Sequence, residues 1–181
     1  ISGIETLRAT AAVAQDFDGI SGGSTITRVE DGVGGNNAVS FTDVSANVAT
    51  LALAAAAANT NTVTVDRKAD TSSDSLTIIS RDQNQTTLTV NDEETVTIDS
   101  SVAATTITTM NAADLSTLTI TGDEGLTIAT LAGNEGLTAV DASGSTGAVS
   151  VGATANADIT AATYTAGSGG LTADGGSAGD T

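Results

Sequence analysis

The chain has 181 residues and a formal net charge of −17, from 22 acidic and 5 basic side chains, and it contains no Cys, His, Trp or Pro. That balance repels nucleic acid and anionic lipid surfaces, and the missing Cys and His exclude a disulfide framework, a soft-ligand metal site and any nucleophilic triad with a His base. Oxygen ligands remain, which favours calcium over magnesium and disfavours zinc and copper.

One domain is expected at this length. Two Phe and one Tyr leave Val, Ile, Leu and Ala to fill the interior, as suits a thin coil better than a wide globular core. No segment approaches the roughly twenty apolar residues of a membrane span. Ile1-Ser2-Gly3-Ile4-Glu5 is not a signal peptide, and a chain opening on Ile and closing on an unfinished glycine motif reads as an internal piece of a longer protein.

In chain order, Ile1 to Thr10 reads as a strand and its turn, Asp16 to Gly23 as loop, and Ser24 to Val29 as a second strand. Glu30 to Asn37 reads as an acidic, Gly-rich turn. Val39-Ser40-Phe41 and Val48 to Leu51 follow as strands, and Ala52 to Ala58 as a strand with a tight Ala-lined corner, seven residues being too few for a stable helix. Thr62 to Val65 and Ser75 to Ile79 resume the ladder across the charged loop Asp66 to Asp74. Beyond residue 81 there is no Lys or Arg, and short tetrads alternate apolar with small polar residues: Thr87-Leu88-Thr89-Val90, Thr95-Val96-Thr97-Ile98, Thr106-Ile107-Thr108-Thr109 and Thr117-Leu118-Thr119-Ile120. Leu126-Thr127-Ile128, Leu137 to Val140 and Ala148 to Val151 continue the pattern. Alternation of this kind marks strands with one buried face, and strands this short must stack to bury it, which predicts an all-β parallel β-helix, or β-solenoid.

The spacing suggests which residues stack. Val90, Ile120 and Val151 stand 30 and 31 residues apart, as do Ile98, Ile128 and Ile159, while Ile107, Ala139 and Leu171 step by 32. The first reading is therefore three strands per coil of about thirty residues, with two strands per coil of twenty to twenty-two residues as the alternative. The whole of 1–181 is one solenoid segment, less regular over 1–75, regular over 76–173, and opening a Gly/Asp motif at 174–181.

That last motif carries a resemblance. Gly175-Gly176-Ser177-Ala178-Gly179-Asp180 is similar to the Gly-Gly-x-Gly-x-Asp of calcium-binding RTX repeats, with Ala178 in place of a glycine. Ile1-Ser2-Gly3-Ile4-Glu5-Thr6-Leu7 and Gly136 to Ala148 resemble coils of RTX-type surface-layer proteins of Gram-negative bacteria. The resemblance spans the two ends and the repetitive second half. It implies a right-handed parallel β-helix, type I secretion, extracellular display on the bacterial cell surface, and self-association into a calcium-supported lattice or filament, with cell-surface polysaccharide reached through other domains. It also implies calcium ligands at Asp174, Gly176 and Asp180, in a half-motif that cannot close a site alone.

The acidic corners supply further candidate calcium ligands. Gly122-Asp123-Glu124-Gly125 and Gly133-Asn134-Glu135-Gly136 are similar turns eleven residues apart. A thirty-residue coil would stack Asp92 and Glu93 near Gly122 and Asp123, about 4.8 Å away, so that Asp92, Asp123 and Glu124 share an ion. Catalysis by a carboxylate pair is disfavoured, because sugar sites stack rings on aromatics and Tyr164 is nearly alone. The leading expectation is a non-enzymatic structural segment of a surface layer. A spacer module of a large secreted adhesin is the alternative. Ice binding, suggested by Thr62/Thr64, Thr87/Thr89, Thr95/Thr97, Thr106/Thr108 and Thr117/Thr119, requires outward pairs in one flat file, whereas three strands per coil would put them on different faces.

Overall fold

A computed structural model describes residues 4–21, 25–54, 60–133, 136–152 and 162–174. They form a parallel β-solenoid with two strands per coil. Sheet one contains β1 (Thr6–Ala9), β3 (Arg28–Asp31), β5 (Thr50–Leu53), β7 (Ser75–Ser80), β9 (Thr95–Asp99), β11 (Thr117–Gly122), β13 (Ala139–Ser145) and β15 (Thr163–Thr165), hydrogen-bonded in that order. Sheet two contains β2 (Ala14–Asp16), β4 (Ala38–Val44), β6 (Thr60–Arg67), β8 (Asn84–Thr89), β10 (Thr105–Asn111), β12 (Leu126–Ala132), β14 (Val149–Val151) and β16 (Leu171–Ala173). Each strand pairs in parallel with the strand two positions later, so the chain crosses from one sheet to the other at every corner. The helical element described in full is a single 3-10 turn, Phe17–Gly19.

The register corrects the coil length. Thr95 pairs with Thr117 and Thr117 with Ala139, two steps of 22 residues, and the Leu126–Val149–Leu171 ladder steps by 23 and 22. Inward columns follow that repeat. In sheet one Val29, Leu51, Ile78, Ile98 and Ile120 are stacked, and in sheet two Val39, Val63, Leu88, Met110 and Leu131. All ten are buried.

The thirty-residue columns do not exist. Ile120 lies over Ile98 in sheet one, Val151 lies over Ile128 in sheet two, and Val90 donates its N–H to Asn111 O beside sheet two. Likewise Ile107 and Leu171 belong to sheet two but Ala139 to sheet one, and Ile159 lies outside the described residues. The false match has a simple origin. A step of thirty is one coil of 22 plus the eight residues from Ile120 to Ile128, which leads from an inward position of one sheet to an inward position of the other. Alternation alone cannot distinguish the two, because every inward position looks alike. The eleven residues from Gly122 to Gly133 are half a coil, the distance from one corner edge to the opposite one.

Several elements differ from expectation. β2 ends on Asp16, the first residue of the stretch read as loop; the strand read over Ser24 to Val29 begins only at Arg28; and Glu30 and Asp31, read as part of a turn, close β3. Of Ala52 to Ala58, Ala52 and Leu53 end β5, and residues 55–58 lie outside the described residues. The charged segment between β6 and β7 is the loop expected, and it lengthens the Thr50–Thr77 step to 27 residues.

The interior also contains polar groups. Asp31 is fully buried; its carboxylate accepts from Val33 N (3.0 Å), Asn61 Nδ2 (2.9 Å) and Gln83 Nε2 (2.6 Å). Arg67 turns inward at the end of β6 and uses all five of its donors. Nε and Nη2 grip the Glu93 carboxylate at 2.7 and 3.0 Å, while Nη1 and Nη2 donate to the carbonyls of Ser45, Val48 and Ser75 at 2.8–3.1 Å. This bidentate pair ties three successive coils at one corner.

Candidate functional site

Because the corners alternate, the solenoid has two edges. Along one, where sheet two passes to sheet one, lie Asp70, Asp74, Asp92, Glu93, Glu94 and Asp114; along the other lie Asp82, Asp123 and Glu124. The two edges have different chemistry.

On the first edge, Asp70, Glu94 and Asp114 each place a carboxylate oxygen within 4.8 Å of the other two. The 22-residue repeat brings them together: Asp114 N donates to Asn91 O (3.0 Å) and Ser116 N to Glu94 O (2.9 Å), so the corner after β10 rests on the corner after β8. Asp74 fastens the preceding loop, accepting from Thr71 N and donating its own N–H to Glu94 Oε2, both at 2.6 Å. Thr71 and Ser72 complete a shallow hollow of about 240 Å³ lined otherwise by these three acids. Asp70 and Asp114 are exposed and Glu94 is half-buried. Partial desolvation, reinforced by Asp114, Asp92, Glu94 and Asp74, raises the pKa of Asp70 above its usual 3.8. Among the described residues this is the cluster able to hold a cation, since every side-chain donor is a hard oxygen.

The residues singled out from sequence are dispersed. Asp92 lies on this same edge but is engaged, its Oδ2 accepting from Arg67 N at 2.7 Å. Glu93 is buried against Arg67 and turns away from solvent; burial, partly countered by Arg67, raises its pKa above 4.5. Asp123 and Glu124 are exposed on the opposite edge, where Glu124 N donates to Ser100 O at 3.1 Å and Gly147 packs over Glu124. The proposed stacking of Asp92 on Asp123 is therefore wrong, and its cause is the thirty-residue register. Asp174 is exposed at the end of the described chain, its N–H bonded to Val151 O at 2.9 Å. Gly176 and Asp180 lie outside the described residues.

Asp70, Glu94 and Asp114 were missed as a group, and their spacing of 24 and 20 residues does not mark them in the sequence. A 22-residue repeat would have set the corner of Asp114 on that of Glu94, whereas Asp70, in the long loop before β7, has no such signal.

The Thr pairs also fall differently. Thr95/Thr97 stacks directly on Thr117/Thr119 and under Ser75/Thr77 on the outside of sheet one. Thr62/Thr64 and Thr87/Thr89 do the same on sheet two. The objection that such pairs occupy different faces is removed within each sheet. The files are nonetheless short, giving way to Ala139/Asp141 in sheet one and to Thr109/Asn111 and then Thr130/Ala132 in sheet two.

No described helix is long and apolar enough to cross a membrane. Compared with protein-family models, curated proteins and solved structures, the chain matches none.

Proposed function

We propose that this chain is a non-catalytic, extracellular β-solenoid segment of a bacterial surface assembly, whose lateral association depends on calcium. The observation that carries the reading is the acidic edge. Six carboxylates lie along one corner of a protein of net charge −17, three of them within 4.8 Å of one another. Such an edge opposes both compaction and side-by-side packing until a dication is shared across it. Asp70, Glu94 and Asp114 offer up to six carboxylate oxygens, with the Thr71 and Ser72 hydroxyls alongside, a donor set that suits calcium's six to eight oxygen ligands. The resemblance of the termini and of Gly136 to Ala148 to RTX-type surface-layer coils agrees with this role, and the two continuous sheets are the stiff spacer such a layer requires.

The test is sedimentation of the chain at low salt across a calcium titration, with magnesium as control. Calcium is expected to drive reversible association that excess chelator disperses well below the melting temperature of the coil, and Asp70→Asn/Asp114→Asn is expected to raise the calcium needed. Association that is unchanged in excess chelator would overturn the calcium role.

A further inference from the structure

In a chain with 27 charged side chains, counting 22 acidic and 5 basic, one broad surface has none. Strands β8, β10, β12, β14 and β16 contain no Asp, Glu, Lys or Arg. Their outward positions are Thr, Ser, Asn and Ala, half-buried or exposed among the described residues. The row Thr106–Thr127–Ser150–Thr172 is paired across four successive strands, and Asn84 Oδ1 accepts from Thr106 N at 2.8 Å at its start. A bulge row beside it, Thr86, Thr108 and Ala129, is uncharged too. The outside of sheet one, by contrast, carries Arg28, Asp99 and Asp141, and the corners hold most of the remaining charge.

We infer that the outer face of sheet two, from β8 to β16, is where two copies of this chain meet. The inference rests on the assembly reading above and names the surface it uses. Copies that each carry −17 repel on approach through the acidic edge or through Asp99 and Asp141 of sheet one. The sheet-two face is the one on which carboxylates are not set against each other. Its shape also suits a second copy. A regular parallel sheet repeats at roughly 4.8 Å per coil, so two such faces related by a two-fold axis bring Thr ladder against Thr ladder, burying methyls and pairing hydroxyls. The size fits a lattice better than a free dimer. Five strands at roughly 4.8 Å, each up to about 20 Å long, cover on the order of 400 Å² per copy, about half of what a stable pairwise interface buries on each side. The contact is therefore weak singly and effective when repeated.

The experiment compares two double substitutions of equal charge, Thr109→Glu/Thr127→Glu on sheet two and Thr97→Glu/Thr119→Glu on sheet one, with Thr109→Ser/Thr127→Ser as the neutral control. Circular dichroism checks the fold of each, and sedimentation velocity in calcium measures association. The sheet-two pair is expected to raise the concentration for half-association by at least about tenfold, the effect of like charges set face to face, with the sheet-one pair and the Ser control close to the parent. If the parent associates and the sheet-two pair associates equally well, this interface is overturned while the assembly reading stands. A parent that stays monomeric in calcium at every concentration overturns both. If the sheet-two pair keeps its association but loses retention on an insoluble neutral polysaccharide, or loses inhibition of ice growth shown by the parent, the face serves that other occupant and the inference fails.

Discussion

Arg67 and Glu93 show how much a single pair can decide in a thin interior. Both read as loop charges in the sequence, yet the pair is nearly excluded from solvent, and Arg67 satisfies three carbonyls from two neighbouring coils. Removing one partner of a buried pair costs about 3–5 kcal/mol, because the other is left charged and unpaired, whereas replacing both by apolar residues of similar volume is often neutral. Arg67→Met is therefore expected to lower the chemical-denaturation midpoint sharply, and Arg67→Met/Glu93→Leu to recover most of the loss. A double variant no better than the single one would mean that the lost bonds to Ser45, Val48 and Ser75 dominate, not the stranded charge.

At the scale of the strand, stacking follows from register, and register is directly testable. Thr97 and Thr119 are paired in adjacent strands with their side chains outward, at a Cα separation near 4.8 Å that lies within the range a disulfide spans. Thr97→Cys/Thr119→Cys is expected to cross-link under mild oxidation without loss of structure. Thr89→Cys/Thr119→Cys, thirty residues apart, places its thiols on different sheets and is expected to stay reduced. The opposite result would restore the longer coil.

Across the whole molecule, charge sets the pH at which the fold is most stable. Glu93 and Asp70 have folded-state pKa values raised above 4.5 and 3.8. The stability each contributes is fully present below those ordinary values and is lost as pH rises through the folded-state value. Asp141 behaves oppositely. Hydrogen bonds from the Ser143 hydroxyl and N–H lower its pKa below 3.8, so its contribution is present above 3.8 and lost as pH falls through the folded value. Net charge of −17 acts in the same sense as Glu93 and Asp70, since protonation relieves self-repulsion. Thermal melts are thus expected to show a higher midpoint near pH 5 than at pH 7, and a decline toward pH 2. A midpoint that falls between pH 7 and 5 would show that Arg67 favours ionised Glu93 more than burial disfavours it.

The class of fold was written in the alternation of Thr with Val, Ile and Leu, in the scarcity of aromatics and in the absence of Pro, because these are local requirements that each strand meets for itself. The same residues left the coil length open: inward positions on facing sheets are chemically alike, so steps of 22 and 30 both join apolar residue to apolar residue. Only the hydrogen-bonded register of Thr95 with Thr117 separates them. Everything that depends on which coil lies above which was decided there. It gathers Asp70, Glu94 and Asp114 at one corner, sends Asp123 and Glu124 to the opposite edge, and draws Arg67 inward to Glu93. Carboxylates distant along the chain become neighbours through backbone ladders, which pattern and spacing in the sequence leave open.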